Sequence, residues 1–354
     1  MEKKTPQLDG HKLMYHPEKV AQWLKGEIFP PIYVEIGPTS ACNHRCNFCA
    51  FDYLKDRRTF MPKRTLLRIL KEMADFGVKA VMFGGEGEPL MHPDLPEAIE
   101  KAHAYGLDMA ITTNGVLFTP DKAKRIIPRI EWVKFSVDAG TADNYAKIHG
   151  TKPVDFERML SNLKAACLIA KGHKANIGCQ MCITDDNIND VEKLVKRIKG
   201  FGLDYFTMKP YVKHPDSLNR KHLTAKDYDK KLIRIASTYQ SKDFHIIYRS
   251  LAFREVERDA LDYEKCHGIN FITLVDAHGN VIPCSVFYER PEFYYGNLHE
   301  KSFAEIWTSK RRFDVQEKVF TRGTGGCRNN CRLNFVNKYL NTVKKKDKHH
   351  INFI

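Results

Sequence analysis

The sequence predicts an α/β fold: a partial (β/α)6 TIM-like barrel followed by a small α+β domain. Three observations predict it. Six apolar, β-branched runs of strand length alternate with amphipathic segments of helix length. Several of those helical patterns stop at a glycine, as a C-cap would. After Cys266 the pattern changes to short runs separated by turn residues. Six consecutive βα units with right-handed crossovers close only part of a barrel, which leaves one side open to a large substrate and gathers ligands at the strand C-termini.

The strand candidates in chain order are Ile32 to Gly37, Ala80 to Gly84, Asp108 to Thr113, Trp132 to Asp138, Ala175 to Ile183 and Tyr205 to Lys209. Helical patterns run over Lys63 to Phe76, Leu95 to Tyr105, Pro120 to Ile127, Asp155 to Lys171 and Ile188 to Phe201, with Gly77, Gly106, Gly172 and Gly202 placed as stops. From Leu223 to Tyr263 the chain reads helical and charged, as a bridge. Phe271 to Val275 and Val281 to Pro283 then flank a glycine-containing turn and read as a hairpin, followed by a helix over Ser302 to Val319. The expected organisation is an extension over 1–30, the barrel over 31–222, the bridge over 223–264, a cysteine-bearing domain over 265–340 and a basic tail over 341–354.

A hydrophobic fraction of 43% and a charged fraction of 28% are those of a soluble globular chain, and no apolar run is long enough to cross a bilayer. The N-terminus, MEKKTPQLDGHKLMYHPEKV, has charge with no apolar stretch behind it and fails as a secretory signal, so a cytoplasmic location is expected. Ten cysteines in such a setting point to metal, cluster or catalysis rather than to disulfides. Lys plus Arg exceed Asp plus Glu by 57 − 43 = 14, which favours anionic partners through long-range attraction. Part of the excess lies in the tail, at Lys344, Lys345, Lys346, Lys348, His349 and His350, where a charge run reads first as a solvated end. No basic stripe interleaved with aromatics is visible, which counts against a nucleic-acid groove.

CNHRCNFC places Cys42, Cys46 and Cys49 directly after the first strand. A four-iron cluster ordinarily takes four cysteine ligands, so three thiolates with no fourth cysteine nearby leave one iron open. A zinc site completed by a distant ligand is the plain alternative, but the spacing is not that of paired zinc ligands, and His44 sits awkwardly within the loop.

The C-x3-C-x2-C spacing, with Phe48 before the last cysteine, resembles the signature of the radical S-adenosylmethionine (SAM) superfamily, and the resemblance runs through all six βα units. It implies that SAM chelates the open iron through its amino and carboxylate groups. An electron from the reduced cluster then cleaves SAM to methionine and a 5′-deoxyadenosyl radical, which abstracts a substrate hydrogen. A flavodoxin or ferredoxin is the implied reductant.

The segment FGGEGEPLMHPDL resembles the family's glycine-glycine-glutamate motif for the SAM amino group. Gly87 and Glu88 fit one frame, with Gly85 and Glu86 in the second. TTNG and FSVDA resemble family elements that bring Asn114 and Ser136 to the SAM pocket, while Gln180 is a further candidate and Phe48 is expected near the adenine. Lys209, Pro210 and Tyr211 end the sixth strand, where related enzymes line the substrate side. Cys167, Cys179 and Cys182 read as buried apolar residues; the latter pair, three apart on a strand, point to opposite faces.

Cys266, Cys284, Cys327 and Cys331 are separated by 17, 42 and 3 residues and can make a closed four-thiolate site, for zinc or for a second cluster. GNVIPC and YGNLHEKSFAEIW resemble the C-terminal extensions called SPASM and, in shortened form, twitch. Four cysteines match the shortened form, which implies one auxiliary 4Fe-4S cluster. The expected substrate is anionic: a nucleotide-linked sugar, a nucleotide or a nucleic-acid base, ending in oxidation, rearrangement or elimination. A peptide-modifying maturase is the alternative, weakened by the roughly 30 residues before the first strand, too few for a leader-binding domain. A non-catalytic zinc protein that binds nucleic acid is the reading from another class.

Overall fold

A computed structural model describes residues 10–219, 221, 228–258 and 260–345. Its ten strands form one sheet: β1 (Tyr33–Ile36), β2 (Ala80–Phe83), β3 (Asp108–Thr113), β4 (Trp132–Ser136), β5 (Asn176–Ile183), β6 (Tyr205–Pro210), β7 (His245–Tyr248), β8 (Ile272–Val275), β9 (Asn280–Ile282) and β10 (Gly296–Asn297). The order across the sheet is β10-β9-β8-β1-β2-β3-β4-β5-β6-β7. From β8 through β7 all neighbours are parallel, while β9 and β10 pair antiparallel. The curved parallel part is the expected partial barrel.

Strand alternation sorts the side chains onto two faces. Val34, Ile36, Val133, Phe135, Cys179, Met181, Phe206 and Met208 belong to the core beneath the surrounding helices. Their neighbours Tyr33, Glu35, Lys134, Ser136, Gln180, Cys182, Thr207 and Lys209 therefore face the barrel lumen. Cys179 and Cys182 take opposite faces as expected, and Cys167 is buried in the helical layer. Helix Lys63–Phe76 shows why the outer layer forms: Leu66, Ile69, Leu70 and Met73 recur at helical spacing and are all buried, and Gly77 closes the helix at φ 103°. Gly106, Gly172 and Gly202 also have positive φ.

Three segments differ from the sequence reading. The bridge is not simply helical: between helices Tyr228–Tyr239 and Ser250–Val256 it supplies β7, which adds to β6 in parallel. Four residues, HIIY, are too short to show against charged helical flanks. The helix expected over Ser302 to Val319 is two, Phe303–Thr308 and Lys310–Arg322, because the Ser309 hydroxyl accepts from Arg312 N and starts a new helix. An unexpected helix, Ala142–His149, precedes Pro153–Ile169 and ends at Gly150 with φ 57°. Residues 222–227, 259 and 346–354, including most of the basic tail, lie outside the described residues.

The hairpin β8–β9 is present and lies against β1, in the register Tyr33↔Ile272. The cysteine-bearing C-terminal region therefore continues the barrel sheet. Trp307 anchors it, fully buried with its indole N–H donating to Phe29 O at 2.7 Å. Among the described residues no helix is long and apolar enough to cross a membrane.

Candidate active site

The loop after β1 carries Cys42, Cys46 and Cys49, and it is tied down on three sides. Arg45 N and Asn47 N donate to His149 O and Ile148 O, both at 2.8 Å. Asn114 Nδ2 donates to Asn43 Oδ1 at 2.7 Å. Asp52 accepts from Ser217 Oγ, Leu218 N and Asn219 N at 2.8–3.0 Å, joining the loop to the segment after β6. Three segments distant in sequence thus fix one cysteine loop at the C-terminal rim of the strands.

The loop suits a thiolate-ligated cluster. Backbone N–H groups of His44 and Phe51 point at Cys42 Sγ (3.5 Å) and Cys49 Sγ (3.4 Å). Burial, then the neighbouring Glu88 carboxylate, pushes the Cys42 thiol up to about 11. Burial and the other two cysteines push Cys46 well above the usual thiol range. Metal-free, these are neutral thiols, and a positively charged iron group is the partner that turns them into thiolates. His44, Cys46 and His149 also bring ligand atoms within 4.8 Å of one another. That trio shares Cys46 with the cysteine set, so the two cannot be occupied together.

The glycine-rich segment after β2 packs under this loop. A Cβ at Gly87 would lie 2.3 Å from Thr39 O and 2.5 Å from Ala41 O, so only glycine permits the approach. Glu88 N donates to Ala41 O at 2.9 Å, next to Cys42. The Glu88 carboxylate accepts from Asn114 N (2.7 Å), Thr113 Oγ1 (2.8 Å) and Leu90 N (3.1 Å), tying β2 to the end of β3. Glu86 turns the other way. Its Oε1 accepts from Ala277 N at 2.8 Å, and burial followed by Asp276 pushes its carboxyl up to about 8. The structure therefore brings Glu88, and not Glu86, beside the cysteines. Gly85, at φ 92°, lies against Gly37.

Ser136 and Gln180 are register partners on β4 and β5, both on the lumen face. Asn114 stands at the end of β3, where its Oδ1 accepts from Val116 N at 3.1 Å. Phe48 makes edge contacts with the rings of His149 (6.1 Å) and Tyr211 (6.3 Å).

The second cysteine set also converges. Cys266 precedes β8, Cys284 follows β9, and Cys327 and Cys331 lie in the loop before helix Asn334–Lys344. Burial, then the Cys331 and Cys284 thiols, pushes Cys266 well up; burial pushes Cys284 up to about 12. Asn337 Nδ2 donates to Cys266 Sγ at 3.2 Å, and the backbone N–H groups of Val286 and Leu333 point at Cys284 and Cys331. Four half-buried thiols, three of them with directed donors, fit a closed cluster. Beside them Arg328 sits with Nε and one terminal nitrogen unpaired among the described residues, its charge facing Cys284 and Cys331.

Sequence reasoning placed Lys209 on the substrate side but missed the other charges of the lumen. Lys134 of β4 faces Lys209, Arg332, Arg249 and Glu35; burial, then those three cations, pushes its ammonium down to about 7. Arg332 forms an ion pair with Glu35 and donates to Tyr33 Oη at 3.0 Å. Its side chain is 48% accessible to solvent. Neither Lys134 nor Lys209 has a carboxylate at ion-pair distance among the described residues. The Thr207 hydroxyl, also on the lumen face, has no hydrogen-bond partner among the described residues.

Comparison with known proteins names two domains. The sequence model of the radical SAM superfamily matches residues 36–198, and that of SPASM, an iron-sulfur cluster-binding domain, matches 266–332. The chain carries a radical SAM domain followed by a SPASM domain. This radical SAM protein is an enzyme, and SAM and 4Fe-4S clusters are its cofactors. The non-catalytic zinc reading is thereby set aside.

Among curated relatives it is 26% identical over 298 residues to the tungsten-containing aldehyde ferredoxin oxidoreductase cofactor-modifying protein of Pyrococcus furiosus, covering 79% of this chain and 81% of that one. It is 26% identical over 321 residues to the mycofactocin maturase MftC of Mycobacterium tuberculosis, with 88% and 79% covered. It is 28% identical over 321 residues to the GTP 3′,8-cyclase of Nautilia profundicola, with 83% and 96% covered. The fold is shared with Streptococcus suis SuiB bound to precursor peptide SuiA, at TM-score 0.66 and 17% identity, covering 98% of this chain and 82% of that one.

Proposed function

We propose that this enzyme abstracts hydrogen from an anionic substrate held in the barrel lumen. The observation that carries the reading is the lumen face of the sheet, where the buried Lys134 faces Lys209, Arg332 and Arg249 as well as Glu35. Like charges brought together away from bulk water are costly unless an anion joins them. The chain's net charge of +14 adds a long-range attraction for the same class of ligand.

In this reading Cys42, Cys46 and Cys49 hold the SAM-binding cluster, and Cys266, Cys284, Cys327 and Cys331 hold the auxiliary one. When bound, the first cluster and SAM supply the radical that takes hydrogen from the substrate. The protein binds, orients and excludes water. Glu88 fixes the Asn114 backbone beside the cysteine loop, Ser136, Gln180, Gly85 and Gly87 shape the SAM pocket, and Phe48 covers its edge together with Tyr211. Lys134 and Lys209 face the open lumen and attract the substrate's charge. A flavodoxin or ferredoxin delivers the electron, and the enzyme works in the cytoplasm.

Anaerobic incubation of the reconstituted protein with SAM, dithionite and panels of nucleotides, nucleotide-linked sugars, acidic peptides and neutral nucleosides, sugars and peptides tests this. Deoxyadenosine and product mass are followed together. Product formation confined to anionic members supports the reading, and turnover of a neutral substrate with no anionic turnover contradicts it. Peptide modification is the second reading, favoured by the likeness to MftC and by the fold shared with the peptide complex of SuiB. Product formation on the peptide panel alone would select it.

A further inference from the structure

We infer that the cysteine loop after β1 carries a second metal site, in which a ring nitrogen of His44, Cys46 Sγ and His149 Nδ1 bind a single divalent ion of the zinc class. This site and the SAM-binding cluster exclude one another because both need Cys46, so a zinc ion in the trio blocks cluster assembly.

One docking contact assembles the trio. Arg45 N donates to His149 O at 2.8 Å, so His44 and Cys46, on either side of Arg45, straddle the C-terminal end of helix Ala142–His149. A Cβ at Gly150 would lie 2.4 Å from Arg45 O, so only glycine lets the loop come this close. The three ligand atoms lie within 4.8 Å of one another, and among the described residues no other trio of histidine, cysteine or carboxylate ligands is so close. Zinc bonds of the usual length, at tetrahedral angles, place nitrogen and sulfur ligands about 3.3–3.6 Å apart. Cys46 Sγ and His149 Nδ1, at 3.2 Å, are already near that spacing. A modest rotation of the His44 ring closes the rest.

His44 is buried and unsatisfied. The residue is 2% exposed, and neither ring nitrogen has a hydrogen-bond partner among the described residues. An imidazole that has given up its bonds to water without replacing them is costly, and ligation to a metal ion replaces one of them. His149 is backed as a ligating histidine is. Binding through Nδ1 puts its ring proton on Nε2, which faces Asp138 Oδ2 at 3.5 Å, and that carboxylate is held in place by Cys182 N, which donates to Oδ1 at 2.6 Å. A carboxylate behind the histidine fixes the tautomer and raises the basicity of the ligating nitrogen. The Tyr145 ring walls both imidazoles, 5.7 Å from His44 and 4.2 Å from His149.

Two imidazoles and one thiolate select the ion. Zn2+ and Co2+ accept nitrogen and sulfur together, whereas Mg2+ and Ca2+ require oxygen. Three protein ligands leave the fourth tetrahedral position to water. Ligation is not a redox step: the ion displaces the Cys46 thiol proton to solvent and sheds bound water. A single ion draws its ligands together, whereas a four-iron cluster spreads three thiolates over three irons. With Cys46 drawn to His44 and His149, Cys42 and Cys49 alone cannot hold the cluster.

Anaerobic reconstitution of the full chain over a range of zinc concentrations tests the site, with iron content, zinc content and SAM binding measured on each product. Zinc should remove about four irons from wild type, leave zinc bound and abolish SAM binding. Without zinc, His44→Ala should take up the wild-type iron complement, which shows that it folds and holds both clusters. It should need at least tenfold more zinc than wild type to lose SAM binding. A second variant, Cys42→Ala with Cys49→Ala, removes the competing cluster. Once its auxiliary cluster is loaded it should still bind zinc in equilibrium dialysis, and a further His44→Ala or His149→Phe should weaken that binding at least tenfold. Equal zinc sensitivity of wild type and His44→Ala would overturn the site, as would a Cys42→Ala, Cys49→Ala variant that binds no zinc, since the three cysteines and not the trio would then hold the ion.

Discussion

His149 Nδ1 lies 3.2 Å from Cys46 Sγ, and on the other side of the ring Nε2 lies 3.4 Å from Asp138 N and 3.5 Å from Asp138 Oδ2. In the tautomer whose Nε2 accepts from Asp138 N, the proton sits on Nδ1 and points at sulfur. Burial, with His44 nearby, pushes the imidazole well below its usual range, so it stays neutral, and Tyr145 packs 4.2 Å from it. A buried donor aimed at a ligand sulfur favours the more negative, reduced form of a cluster.

His149→Phe should therefore shift the midpoint potential of the SAM-binding cluster to more negative values, by on the order of tens of millivolts. His149→Gln, which keeps a donor, should recover part of the shift. A redox titration followed by electron paramagnetic resonance reads this separately from turnover; an unchanged potential in His149→Phe would remove the role assigned to the bond.

Glu88 holds the β2 and β3 ends together through three hydrogen bonds to a buried carboxylate. Bonds to charged groups contribute about 1.5–3 kcal/mol each. Glu88→Gln replaces one acceptor with a donor facing Asn114 N. It should lower stability by about 2 kcal/mol and raise the SAM dissociation constant at least tenfold, as measured by denaturation and equilibrium binding. Glu88→Gln with normal SAM affinity would separate this residue from the SAM pocket.

Glu86 predicts a pH dependence. Its carboxyl rises from 4.5 to about 8 in the folded protein, first through burial and then through Asp276. Between those values the native state holds a proton that the unfolded chain has released, so stability falls as pH rises across that window and levels off above it. Glu86→Gln removes the titration. The stability difference between Glu86→Gln and wild type should widen in favour of the variant from pH 5.5 to pH 8 in anaerobic denaturation, and a constant difference would contradict the assignment.

Local signals were legible and convergent ones were not. Cys42, Cys46 and Cys49 announce themselves because their spacing is contained in one loop, and β1 to β6 because apolar, β-branched runs of strand length alternate with helical patterns. His149 meets Cys46 across 103 residues, at the end of the unexpected helix Ala142–His149. Glu35, Lys134 and Arg332 are unremarkable residues individually; their chemistry arises when curvature brings β1, β4 and the last cysteine loop around one lumen. The same limit applies to Glu86 and Glu88. Sequence spacing left their frames open, and only the packing of Ala277 against one and Asn114 against the other tells them apart.

The assignment of two clusters to two cysteine sets is tested most directly by iron content and SAM cleavage measured together. Anaerobically reconstituted wild type should carry about eight irons, in two four-iron clusters, and release deoxyadenosine from SAM with dithionite. Cys46→Ala should lose about four irons and all cleavage, and Cys284→Ala should lose a comparable share while the first cluster still binds SAM. A Cys46→Ala protein that forms deoxyadenosine at the wild-type rate would contradict the account.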